Sequence, residues 1–263
     1  MTTPISDEQI RERIRRVPHW YHRIHIRPGI TTPGVNDCET TLGLLDLPQD
    51  CRGLRALDVG TRDGFFAFEL ERRGAKVTAV DYVSADQTGF SVAADLLGSQ
   101  VEFQHANVYD LSAAALGRFD IVLFLGLLYH LPDPVQALHI LRSLCQQRLC
   151  LESHVIDNAV STLDGQSLPL SSVAPALTDV PIMQFYPGTS LNNDPTNYWG
   201  PNVACLEAML NESNFACTSK HLMGTRAVLN CLVTDNADLA YHNRLARGRF
   251  GVHAPRVVKG GSG

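Results

Sequence analysis

The segment ALDVGTRDGFFAFELERRGAKVTAVD, residues 56 to 81, constrains the fold more than any other stretch of the chain. An apolar run, a glycine-punctuated turn, a helix-periodic stretch and a second apolar run ending on an acid predict strand, turn, helix, strand. Gly74 sits where a helix C-terminal cap belongs. Two strands joined through a helix must run parallel, and parallel strands are covered on both faces. The alternation continues, with strands expected near 55–60, 76–81, 101–105, 119–125 and 147–153 and helices between them.

Flanking segments fit this frame. Ser6 and Gln9 have capping-box spacing and Ile10 and Ile14 recur four apart, so a helix is expected over about residues 7 to 16. Its RERIRR face is solvated or meets an anionic partner. Asp133-Pro134 opens another helix, with Val135, Leu138, Leu141 and Leu144 on its apolar face. Residues 154–201 are polar and rich in proline and glycine, which marks a functional loop, and Phe185, Tyr186, Tyr198 and Trp199 argue that it is ordered. Asn202 can cap a helix bearing Leu206, Met209 and Leu210, and FACTSKH and AVLNCLVTD predict an antiparallel pair closing the sheet.

At 263 residues the chain accommodates one α/β domain with additions. The expected divisions are an N-terminal helix and lid over 1–50, a catalytic domain over 51–235 carrying the 154–201 insertion, and a tail over 236–263. A net charge of −5 disfavours a nucleic-acid backbone as the main partner, although a local basic patch would still admit one. With no apolar run of about 18 residues and a polar, charged start, the expected location is the cytoplasm, without membrane association. The seven cysteines have no C-x-x-C spacing, so neither a disulfide framework nor a metal site is expected, and most should be buried small hydrophobes. Oligomeric state is open.

The glycine turn narrows the ligand. A dinucleotide fingerprint needs three glycines, and those places here hold Gly60, Arg62 and Phe65, so a pyrophosphate against the backbone would be crowded. Gly60 and Gly64 still allow a tight turn, and Asp81, ending the next strand, is placed to accept from ribose hydroxyls. The expected ligand has a ribose and no pyrophosphate. An oxidoreductase is correspondingly disfavoured.

With HANVYDL and FDIVLFLGLLYHLPDP in the expected order, the segment resembles the class I S-adenosylmethionine-dependent methyltransferases over about residues 50 to 235. The resemblance implies a Rossmann-like α/β fold, a seven-stranded mostly parallel sheet with helices on both faces and an antiparallel last strand. WYHRIHIRPGITTPG, GLLYHLPDP, LESHVID and QFYPGTSLNNDPTNYWGPN are similar to the branch containing the tRNA wobble-uridine methyltransferases and carboxymethyltransferases. It implies S-adenosylmethionine as cofactor and S-adenosylhomocysteine as product. Gly60, Thr61, Arg62, Asp63 and Gly64 would pass under the methionine portion and Asp81 would hold the ribose. Tyr82 would lie beside the adenine, Asn107 would bind its amine with Val108 next to it, Leu125 and Gly126 would lie near the methionine amine or sulfonium, and Tyr21 would also contact the cofactor. Carboxymethylating members hold their cofactor partly through an upstream lysine; residues 1 to 55 contain none, which favours ordinary methyl transfer, though Tyr129 and Arg226 resemble other carboxylate-binding positions.

Methyl transfer from a sulfonium requires alignment, worth roughly 7–11 kcal/mol, and a base only when the acceptor must lose a proton. His130, Tyr129, Glu152 and His154, at the ends of the fourth and fifth strands, are the catalytic candidates, against readings as turn or strand-end residues. Trp20, Tyr21, His22 and His25 form an aromatic and imidazole cluster that is either a lid or packing for the N-terminal helix. Trp20, His22, Tyr186, Asn192, Asn197, Trp199 and Arg226 are candidates for binding the acceptor, with turn formation the competing role for the loop residues. The expected reaction is N- or O-methylation of a small metabolite, aromatic and heterocyclic acceptors included. Alternatives are tRNA wobble-uridine modification, a non-methyl sulfonium reaction such as alkyl transfer or cyclisation, and a cofactor-binding regulatory subunit.

Overall fold

A computed structural model describes residues 5–162 and 166–235. Its main sheet comprises β1 (Arg55–Val59), β2 (Lys76–Asp81), β3 (Glu102–His105), β4 (Phe119–Leu125), β5 (Cys145–His154), β6 (Phe215–Met223) and β7 (Arg226–Val233). The spatial order is β6-β7-β5-β4-β1-β2-β3. β1 to β5 are parallel, while β7 runs antiparallel between β5 and β6. The expected sheet and its antiparallel last strand are thus present. The expected tail, 236–263, lies outside the described residues.

Period-two side-chain alternation on strands buried on both faces divides the core into two. Leu57, Val59, Val122, Phe124, Leu149 and Leu151 face one cluster, covered by α4 (Pro134–Leu144) and α5 (Val203–Glu212). Ala56, Ile121, Leu123 and Cys150 face the other, covered by α1 (Asp7–Arg15), α2 (Phe65–Arg72) and α3 (Phe90–Leu97). The caps read from the sequence are formed: Ser6 and Gln9 close a capping box, Asp133 accepts from Gln136 N, and Asn202 accepts from Cys205 N.

Trp20 is a wall of this second core. It is 3% exposed, its indole donates to the Ile14 carbonyl at 3.0 Å, and a Cβ on Gly89 would meet its ring at 2.2 Å. The sequence expectation of an acceptor-binding Trp20 is corrected accordingly: its ring is spent joining α1 to the start of α3. Residues 20–36 form a strap, with Asn36 N donating to the Tyr21 carbonyl and Arg23 N to the Asn36 carbonyl.

The 154–201 insertion is ordered where described. Met183–Phe185 pairs antiparallel with Trp199–Pro201, and Val160–Ser161 with Ser167–Leu168. Among the described residues no helix is long and apolar enough to cross a membrane.

Candidate cofactor and acceptor site

The carboxyl ends of β1, β2 and β4 meet at the glycine turn. Gly60, Arg62 and Gly64 all have positive φ (82°, 51° and 96°), so the turn needs three left-handed residues and one of them is arginine. That conformation costs a non-glycine residue roughly 1–2 kcal/mol. It aims Arg62 N at Asp81 Oδ2 (2.8 Å), and Val83 N donates to Oδ1 (2.9 Å). Two backbone donors fix this buried carboxylate, and a carboxylate has about four acceptor positions, so capacity remains for a ligand hydroxyl. Tyr82 beside it is 63% exposed. Following β3, Val108 is buried, and Asn107 Oδ1 accepts from Tyr109 N at 3.0 Å, keeping a lone pair.

Two turn residues expected against the cofactor face inward instead. Asp63 is 0% exposed; its Oδ2 accepts from Tyr21 N (2.7 Å) and His22 N (2.8 Å), and its Oδ1 from Gly89 N (2.8 Å). It pins the strap and the start of α3 to the turn. Thr61 is 1% exposed and donates its hydroxyl to Asp58 Oδ2 at 2.7 Å. Asp58 was not singled out from the sequence, although an acid inside an apolar strand two residues before Gly60 was a usable signal. Burial pushes its carboxyl up to about 7, with Asp81 adding to the rise against the Thr61 hydroxyl.

A second cluster of candidate residues is built by β4, β5 and β7. Arg226 lies opposite His154 across the β7–β5 ladder, which places it diagonal to Glu152 on the same face. The guanidinium grips the Glu152 carboxylate bidentately through Nε–Oε1 and through Nη2–Oε2 at 2.6 Å. Burial pulls the Arg226 pKa down, but the Glu152 carboxylate more than offsets this and raises it overall. Arg226 Nη1 also donates to the Tyr129 hydroxyl at 3.3 Å. Gly126, at φ 71°, leaves β4 beside this group; a Cβ there would stand 3.5 Å from Arg226 Nη2 and 3.7 Å from Glu152 Oε2. With glycine at this position, no side chain from 126 stands against the pair. Tyr21 of the strap is close enough for burial, Tyr129 and Glu152 to raise its hydroxyl pKa.

Glu152 therefore does not stand free as a base; it holds Arg226. His154 is corrected likewise. Its Nε2 meets the Tyr186 hydroxyl at 2.9 Å, its other hydrogen bond goes to the Thr225 backbone, and burial followed by Arg226 pushes its pKa down to about 4. Tyr186, 2% exposed, is packing beneath the insertion and offers the acceptor no surface. Asn192 is exposed at φ 54°, a turn residue. Trp199 donates to the Pro132 carbonyl at 3.3 Å and stacks edge-on with Phe185, which ties the hairpin down.

The remaining candidates differ. His130 lies against Tyr129, ring centroids 4.1 Å apart, with Nδ1 3.2 Å from the Thr196 carbonyl. Nδ1 is also 2.9 Å from the Thr196 hydroxyl, which donates to Asp194 Oδ1 at 2.6 Å, so both oxygens accept, Nδ1 carries the proton and Nε2 the lone pair; burial lowers the pKa, with the Thr196 contact opposing. Asn197, 4% exposed, donates to the Leu191 carbonyl and leaves Oδ1 without a partner among the described residues. His22, 5% exposed, leaves Nδ1 without one, edge-on to Phe65 and Phe66, and burial pushes its pKa down to about 4.

A left-handed turn and an acid with spare acceptor positions at the next strand tip fit a ribose-bearing ligand without pyrophosphate. Residues 57–148 match the family model described as a methyltransferase domain. This stretch is thus similar to a methyltransferase domain, and the sheet built around it has the Rossmann-like fold. This stretch is similar to the ubiquinone biosynthesis O-methyltransferase of Azotobacter vinelandii, 36% identical over 87 residues, 33% of this chain and 38% of that protein. The chain thus spans little more than a third of the curated relatives it matches. Among solved structures, the N-terminal domain of EvdMO1 with S-adenosylhomocysteine bound has a TM-score of 0.60 at 20% identity, covering 88% of this chain and 98% of that one. The 1,6-didemethyltoxoflavin-N1-methyltransferase of Burkholderia thailandensis has a TM-score of 0.50 at 20% identity over 75% of each chain.

Proposed function

We propose that the protein transfers the methyl group of S-adenosylmethionine to a nitrogen or oxygen of a small acceptor seated over Gly126. The observation that carries this reading is the Asp81 carboxylate, fixed by two backbone donors beside the left-handed turn yet with acceptor capacity to spare. Asp81 holds the ribose, Tyr82, Asn107 and Val108 bound the adenine, and Gly60 to Gly64 underlie the methionine portion. When bound, the sulfonium supplies an activated methyl group, so the chain's own task is to align the acceptor and keep out water.

Tyr129, Arg226 and Tyr21 line the space beyond Gly126, with Glu152 holding the guanidinium in place. The His130 Nε2 lone pair takes the acceptor's proton where one must leave, a contribution of about a hundred- to ten-thousandfold. The names of the relatives support a small acceptor: one acts in ubiquinone biosynthesis and one structure is that of a toxoflavin-precursor methyltransferase.

Incubating the purified protein with methyl-labelled donor and a metabolite extract tests this reading. Label in a small molecule together with S-adenosylhomocysteine is the expected result. Label in the tRNA fraction would select wobble-uridine modification instead, and methylthioadenosine as co-product would select non-methyl chemistry. Failure of the protein to bind S-adenosylhomocysteine overturns all three.

A further inference from the structure

At the far end of β7 from Arg226, Cys231 lies directly opposite Cys217 of the edge strand β6, and their sulfurs are 3.2 Å apart. Directly opposed residues of antiparallel strands have Cα atoms about 4.5–5.5 Å apart, inside the range of about 4.4–6.8 Å that a disulfide spans. Closing the bond to about 2.05 Å moves the sulfurs together by little more than 1 Å. The irregularity in register begins just after Cys217, so the backbone can yield there.

We propose that Cys217 and Cys231 form a thiol-oxidation site that takes hydrogen peroxide as oxidant and closes to an intramolecular disulfide. Cys217, half-buried on the edge strand, is the entry point, because Cys231 is 1% exposed behind it. The Cys217 thiolate attacks the peroxide, the O–O bond breaks, and Cys217 becomes a sulfenic acid as hydroxide leaves and is protonated. Cys231 then gives up its proton and attacks the Cys217 sulfur as a thiolate, the S–O bond breaks, and the departing hydroxide takes that proton to leave as water. Two thiols are oxidised and one peroxide is reduced to two waters.

The other thiols do not compete. Burial pushes Cys38, Cys145 and Cys150 up to about 12 and raises Cys51 and Cys205, whereas the Cys231 hydrogen bond lowers Cys217. Thiolate, not thiol, is the nucleophile.

Treating the purified full chain with dilute hydrogen peroxide, then counting maleimide-reactive thiols after denaturation, tests the site. The expected result is a 2 Da mass loss, a fall from seven reactive thiols to five, a 217–231 cross-link in peptide mapping, and recovery with dithiothreitol. Cys217→Ser and Cys231→Ser, checked for folding by circular dichroism, should each abolish the mass loss. A cross-link elsewhere, no mass loss at all, or oxidation of Cys217 to sulfinic acid without a cross-link overturns the proposal.

Discussion

Asp63, in the glycine turn, and Asp81, at the tip of β2 beside it, have opposite tasks, and their hydrogen bonds separate them. Asp81→Ala removes charge-assisted bonds worth about 1.5–3 kcal/mol each, so S-adenosylhomocysteine affinity should fall about 10- to 100-fold by calorimetry; unchanged affinity would falsify the ribose placement. Gly64→Ala should destabilise by about 1–3 kcal/mol in urea unfolding, because φ is 96° and the new Cβ would stand 2.5 Å from the Phe68 ring. For an acceptor that must lose a proton, His130→Ala should lower kcat about 100-fold or more, and equal rates in wild type and variant would remove His130 from the chemistry. The turn and Asp81 were legible because strand, turn and acid are local. The pinning role of Asp63 was not, because its partners lie 42, 41 and 26 residues away.

Among elements, the strap is tied to the glycine turn through one side chain, Asp63, which accepts from Tyr21 N and His22 N. Asp63→Asn replaces one carboxylate oxygen with a donor that cannot accept from backbone amides. Hydrogen exchange should quicken at residues 20–23 and at 89, ahead of the sheet, with a lower Tm. Uniform change across the whole chain would instead mean a global loss of stability. Strands and capped helices were readable because period two, period 3.6 and capping residues each leave a local trace. The insertion's pairings were not, because Met183–Phe185 meets Trp199–Pro201 through backbone bonds that no alternation announces.

At the scale of the whole molecule, buried titratable groups oppose one another. The pKa values of His22 and His154 fall from 6.5 to about 4 in the folded chain, so the stability tied to their neutral forms is present above pH 6.5 and lost as pH falls towards 4. Asp58 rises from 3.8 to about 7, so its contribution is present below 3.8 and lost as pH rises through 7. Asp58→Asn should therefore gain on the wild type as pH climbs from 4 to 7, while His154→Gln should gain on it as pH drops from 6.5 to 4. Urea midpoints across that series decide the matter, and slopes of the reverse sign would refute both assignments.

The Glu152–Arg226 grip joins positions 74 apart in the chain, and Arg226 opens the last described strand. A nascent polypeptide emerging from the ribosome would present the glycine turn, Asp81 and Glu152 long before the guanidinium arrives. Until then an acid destined for burial has no counter-charge, which should keep the tip of β5 open to solvent.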